Sequence, residues 1–300
     1  MEIDSVHLNF DQGNLWILNL CLAIMMFGVA LDLKVDDFKS LLYRPKASFI
    51  GIISQFFALP ALTFLLVLIL QPSPSVALGM IMVAACPGGN ISNMMTHLAK
   101  GNTALSVSLT AFGTILAIVM TPFNLQLWAS LYEPTAQILK EVSLDALGML
   151  KAIVTLAGIP LIIGMVVNHR WPSVANRISR YVKPFSVFIF IGFVVIAFAS
   201  NFQNFMNHIQ LVFFIVLLHN VVAVGSGYFL ARLGGLPSMD RRTIAIETGI
   251  QNSGLGLFLI FSFFDGLGGM AIVAAWWGIW HIIAGLTLSF YWSKFPAATT

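Results

Sequence analysis

Nine apolar stretches, each close to the length of a bilayer-crossing helix, run the length of this chain between short breaks that carry charge or Pro. They lie at roughly 14–31, 46–70, 76–98, 103–128, 146–168, 183–204, 208–233, 242–264 and 268–293, where a helix needs about 20 apolar residues to span the hydrocarbon core. The stretches are continuous rather than alternating, which excludes the strands of a membrane β-barrel. The longest connection, around Tyr132 to Asp145, leaves no room for a soluble domain. Charged residues are 9% of the 300, against about a quarter in soluble domains, too few to clothe a water-facing surface. The expected fold class is an all-α polytopic membrane protein with nine transmembrane helices.

The remaining bulk features are weaker guides. An acidic leader with Glu2, Asp4 and Asp11 precedes the first stretch; it lacks the basic start of a cleavable signal peptide, so a retained helix is expected. Cys21 and Cys86 both lie in apolar stretches, which argues against a disulfide framework. The net charge of +3 does not imply nucleic acid, because the cations sit in short connections. They set the orientation instead. With the N-terminus outside and the C-terminus cytoplasmic, every Lys and Arg except Lys140 and Lys151 falls on the inner side. An integral protein of the plasma (inner) membrane is expected.

Two stretches contain sequence that a continuous helix avoids. In the third, Ala85-Cys86-Pro87-Gly88-Gly89-Asn90-Ile91-Ser92-Asn93 lies near mid-span, and Pro and Gly both break helices. In the eighth, Glu247-Thr248-Gly249-Ile250-Gln251-Asn252-Ser253-Gly254 sets an acid, two amides and two glycines in apolar surroundings. Small residues also permit close helix packing, but two such segments in oppositely directed spans point to broken helices lining a cavity. Half-helix N-termini favour an anion, and the carbonyl ends of the preceding halves favour a cation. Ser54 to Pro60 also resembles His219 to Gly225, each one span ahead of a break. The expected architecture is an inverted repeat of five-plus-five type lacking its first helix.

Of twelve acids, only Glu247 lies inside a span. An ionisable group there costs at least ~2.5 kcal/mol and is a functional candidate by default. Apart from Arg242 at the start of that span, no Lys or Arg lies within a span near it as a counter-ion, so a bound cation is the expected one. Hard cations take several oxygen ligands, and Ser92, Asn93, Gln55, Gln251, Asn252, Ser106 and Thr110 offer them. Enzymatic readings fare poorly: there is no HExxH, no GxSxG and no mid-span Asp pair. His219 and His281 are intramembrane packing or pathway residues. Proton coupling through Glu247, and a ligand-gated channel or receptor, remain open alternatives to sodium-coupled carriage.

Pro87 to Asn93, Gly101-Asn102-Thr103-Ala104-Leu105-Ser106, Glu247 to Gly254, Gln55 with its following Pro60, and Tyr291-Trp292 resemble the signature segments of the bile acid:sodium symporter family. The resemblance runs in order over essentially the whole chain. It implies a panel domain (14–31 and 146–204), a core domain (46–128 and 208–293), and broken helices at 76–98 and 242–264. It implies two sodium sites, one at Ser92, Asn93, Ser106, Thr110 and Glu247. The second would use Gln55, Glu247, Gln251 and the carbonyls of Thr248 and Ile250. Substrate, a small organic anion, would lie near Asn90, Ile91 and Asn252, with His281 and Ile282 on the last helix. Asn90 stands where many members carry Thr, and Ile282 where an amide is common. Bile acids and smaller carboxylates such as pantoate are both expected substrates, moved by alternating access; the oligomeric state stays open, with a monomer possible.

Overall fold

The computed structural model describes residues 2–4, 15–142, 146–200 and 202–295. Regular structure among them is helical, as a polytopic membrane chain requires. Helix α1 (Leu15–Ala30) is apolar but for Asn19. A short amphipathic helix, α2 (Val35–Tyr43), follows it; the carboxylate of Asp37 accepts the Lys34 backbone N–H at 2.7 Å, which satisfies one of the orphan donors of a helix start. The second span is one helix, Pro45–Leu70, made of α3 (Pro45–Ile53), a π turn (Ser54–Ala58) and α4 (Leu59–Leu70).

The third span is cut into α5 (Pro74–Ala85) and α6 (Ile91–Leu98). Helix α7 (Thr103–Ser130) begins at Asn102, whose side chain accepts the Leu105 N–H, and α8 (Glu133–Glu141) is short and amphipathic. The next span combines α9 (Ala146–Ile153), a second π turn (Val154–Gly158) and α10 (Ile159–Arg170). Then come α11 (Pro172–Ser200) and α12 (Phe202–Leu233). The eighth span is cut into α13 (Ser238–Gly249) and α14 (Ser253–Phe263), and α15 (Gly268–Ser293) completes the order.

Five helices among the described residues are long and apolar enough to cross a membrane: Pro45–Leu70, Thr103–Ser130, Leu147–Arg170, Val212–Leu233 and Gly268–Ser293. The third and eighth expected spans are not among them because each is broken into two halves. α2 and α8 went unseen in the sequence, since short amphipathic helices fall between apolar runs. Residues 5–14 of the acidic leader, Asp11 among them, lie outside the described residues, as does the segment 143–145.

Burial places the half-helices α5 and α14 in the interior. Every residue of α5 from Ser75 to Ala85, and of α14 from Ser253 to Phe261, is buried. By contrast, α10 exposes Ile159, Ile162, Ile163 and Val166, and α4 exposes Leu65 and Ile69, the apolar faces a bilayer would cover. α5 packs along α15, α12 along α13, and α1 against α10 and α11. The α5–α15 contact is backbone-close: a Cβ on Gly79 would lie 2.8 Å from Met270 Cα. Small residues at such crossings let helices approach without a hydrophobic driving force between them.

Candidate functional site

The two breaks meet. Gly88 and Gln251 form an antiparallel bridge, in which the Gly89 N–H donates to Ile250 O at 2.7 Å and the Asn252 N–H to Pro87 O at 2.8 Å. Unwound backbone needs such partners where no water is available. Other freed groups are closed by side chains. Thr121 Oγ1 on α7 donates to Ala85 O at 2.8 Å, Asn220 Nδ2 on α12 to Gly249 O at 2.8 Å, and Gln251 Nε2 to Thr248 O at 2.8 Å. Asn252 caps α14, its side-chain oxygen accepting the Leu255 N–H at 3.1 Å.

Glu247, 2% exposed, ends its side chain among hydroxyls from two other helices. Its Oε1 accepts from Ser92 Oγ of α6 at 2.5 Å and from Ser106 Oγ of α7, and its Oε2 accepts from Thr110 Oγ1 of α7 at 2.9 Å. Asn93 Oδ1 lies 2.9 Å from Ser106 Oγ and 3.3 Å from Thr110 Oγ1. Each hydroxyl carries one hydrogen. Once all three are directed at the carboxylate, none is left for Asn93 Oδ1. The cluster is therefore rich in oxygen and poor in donors, the composition that suits a hard cation.

No Lys or Arg among the described residues neutralises Glu247. Arg242, the nearest basic residue in sequence, is 5% exposed and donates instead to Ala99 O, Trp292 O and Phe295 O at 2.9 to 3.2 Å. It ties the ends of α6 and α15 to α13. A buried carboxylate without a cationic partner is costly, so a bound cation would be stabilising here. No group of three or more His, Cys, Asp or Glu suited to a metal occurs among the described residues, so the donor chemistry is that of hydroxyl, amide and carboxylate oxygens.

Gln55 approaches the same carboxylate from the π turn. A Cβ on Gly88 would fall 2.7 Å from Gln55 Nε2 and 3.1 Å from Glu247 Oε2, so the ends of both side chains lie beside Gly88. Gln55 Nε2 and Gln251 Oε1 are both buried without a hydrogen-bond partner. Ser54 Oγ beside Gln55 lies 2.8 Å from Thr248 Oγ1. The carbonyls of Thr248 and Ile250, expected as ion ligands, are each already held by an amide donor in this structure.

The structure thus brings together Ser92, Asn93, Ser106, Thr110 and Glu247, and sets Gln55, Thr248, Ile250 and Gln251 beside them. Among the expected substrate residues, Asn90 and Ile91 are half-buried at the start of α6. Ile91 and Ile282 pack against one cluster of Met95, Ala99, Ile246 and Ile250. His281, the residue before Ile282 and so about 100° round α15 from it, is buried with Nδ1 lacking a partner. His219 lies elsewhere in the core, its Nε2 2.7 Å from Thr63 Oγ1 and its ring 4.7 Å from that of Trp277, as a packing residue would. Sequence reasoning missed Thr121 and Arg242 and gave Asn220 no role. Their only signal is a polar side chain in or beside an apolar run, which names no partner.

The model of the Sodium Bile acid symporter family matches residues 19–208. A Bacillus subtilis protein described as an uncharacterized sodium-dependent transporter, YocS, is 36% identical over 277 residues, covering 92% of this chain and 83% of its own length. The probable chloroplastic sodium/metabolite cotransporter BASS1 of Arabidopsis thaliana is 33% identical, over 91% of this chain and 66% of the relative. The human ileal sodium/bile acid cotransporter is 30% identical, over 80% of this chain and 67% of the relative. These relatives are transporters rather than enzymes, and the family match spans more than half the sequence. With its two broken helices paired at Gly88 and Gln251 and the buried Glu247 carboxylate beside them, the chain belongs to the sodium/bile acid symporter family.

Proposed function

We propose that this chain is a secondary active transporter that couples sodium entry to uptake of an organic anion by alternating access. The observation that carries the reading is the Glu247 cluster: a membrane-buried carboxylate, three hydroxyl donors, a spare amide oxygen and no protein cation. One sodium ion is held by Ser92, Asn93, Ser106, Thr110 and Glu247. A second uses Gln55, Glu247, Gln251 and the Thr248 and Ile250 carbonyls, after their present amide donors shift. Two sodium ions, one carboxylate and one monovalent anion leave no net charge in a low-dielectric core. Ions that order both breaks favour substrate in return, by reciprocal linkage.

Substrate binds beside the ions, near Asn90, Ile91 and Asn252, with Ile282 and His281 along α15. A bile acid or a smaller carboxylate such as pantoate fits this class. Residues 14–31 and 146–204 form the panel, and 46–128 with 208–293 the core. The nine spans descend from a five-plus-five inverted repeat, with the N-terminus outside and the C-terminus in the cytoplasm. Uptake of a labelled carboxylate into proteoliposomes, with sodium and proton gradients imposed separately, tests the reading. Accumulation driven by sodium alone is expected. Accumulation driven by a proton gradient in sodium-free buffer would reject sodium coupling and make Glu247 a proton carrier.

A further inference from the structure

Gln55 reaches Gly88, beside the Glu247 carboxylate, from a stretch of helix that is not regular, and the reason begins with Pro60. In an α-helix the N–H of residue 60 would donate to the carbonyl of residue 56. Pro60 has no N–H, and Phe56, at 0% exposure, has no water to replace it. Asn124 of α7 fills the gap, its Nδ2 donating to Phe56 O at 3.0 Å. Asn124 Oδ1 accepts from Trp128 Nε1 at 3.1 Å, which fixes the amide with its nitrogen toward the carbonyl. Trp128 is itself set against Phe64 of α4, their ring centroids 5.3 Å apart. A buried chain of partners thus runs from α4 through α7 and back to the π turn.

That turn is where the ion-site side chains leave the second span. Ser54 and Gln55 are consecutive, yet one reaches Thr248 Oγ1 and the other lies against Gly88 beside the Glu247 carboxylate. We propose that Asn124 is a positioning residue for the sodium site: by supplying the hydrogen bond that Pro60 cannot, it holds the π turn and so sets Gln55 against Glu247. This rests on the reading of the Glu247 cluster as an ion site and adds the residue that shapes it from outside.

The test uses the purified full chain in lipid nanodiscs and follows thermal unfolding, first without sodium and then against sodium at constant ionic strength. The proteins are the parent, Asn124→Leu, Pro60→Ala and the double variant. In Pro60→Ala, residue 60 can donate to Phe56 O itself, so adding Asn124→Leu should lower the sodium-free unfolding temperature far less than it does in the parent. Neighbours that share one interaction are non-additive in this way. Asn124→Leu alone should raise the sodium concentration that gives half the thermal shift by about tenfold, the size of one lost buried hydrogen bond.

Additive effects of the two substitutions overturn the Pro60–Asn124 pairing. A lower unfolding temperature with an unchanged sodium midpoint reduces Asn124 to packing and overturns its positioning role. Absence of any sodium shift in the parent instead rejects the sodium reading, while the sodium-free cycle still decides the pairing. If Asn124→Leu does not fold, Trp128→Phe removes the bond that orients the amide while keeping an aromatic ring beside Phe64. A smaller rise in the sodium midpoint is then expected, and no rise overturns the proposal.

Discussion

Glu247 was legible in the sequence because it is the one acid inside a span, and its oxygen-bearing neighbours because Ser92, Asn93, Ser106 and Thr110 place polar oxygen where lipid-facing side chains would be apolar. Which oxygen meets which was not legible. Glu247 lies on α13, Ser92 on α6 and Ser106 on α7, and only the folded chain brings them within hydrogen-bond distance. Glu247→Gln removes the charge and keeps one acceptor oxygen, while an amide donor replaces the other. It should fold, unfold at or above the parent's temperature without sodium, and show no sodium-dependent shift; saturating sodium should stabilise the parent by about 2.7 kcal/mol at a hundredfold excess over its dissociation constant. Glu247→Ala should abolish coupled uptake as well. Normal sodium-driven uptake in either variant would remove the carboxylate from the ion site. Gly88→Ala places a methyl group 2.7 Å from Gln55 Nε2, and the displaced amide should weaken sodium binding, with an overpacking cost of about 1–3 kcal/mol. A thermal sodium titration reads both effects.

The breaks were predictable as elements, since Pro87 with Gly88 and Gly89, and the polar run from Glu247 to Ser253, oppose a continuous helix. Their closure was not predictable, because which carbonyl is freed depends on where the helix stops, and its donor comes from a distant span. Thr121 for Ala85 and Asn220 for Gly249 are such donors. Thr121→Val keeps the shape but leaves Ala85 O unsatisfied, so a loss of about 1–3 kcal/mol is expected. Asn252→Ala removes the cap of α14, and stability should fall by about 1 kcal/mol. Chemical or thermal unfolding of the folded variants measures each; a neutral Asn252→Ala would show that the break's own backbone pairing suffices to start the helix. The π turns were invisible for a similar reason: Pro60 and Pro160 mark the place, but only tertiary partners stabilise a widened turn.

At the scale of the whole molecule, the bias of Lys and Arg to one set of connections predicts orientation, and labelling tests it. With Cys21 and Cys86 replaced, a cysteine at exposed Gln137 on α8 should react with an impermeant thiol reagent in intact cells. A cysteine at exposed Tyr43 on α2 should react only after permeabilisation. The opposite pattern would invert the proposed topology and the direction of the broken helices with it.

The sequence by itself determined that this chain lives in a membrane, that two of its spans are interrupted, and that one acid, Glu247, lies inside a span. These are properties of composition and local chain stiffness, set by whether a run of residues can pair its own backbone in lipid. The tertiary structure decided the rest: the antiparallel meeting of Gly88 and Gln251, the distance of Ser92 and Thr110 from Glu247, and the distant amides that complete the broken backbone. Those follow from packing, because in a solvent without hydrogen bonds every freed polar group must find a partner elsewhere in the protein.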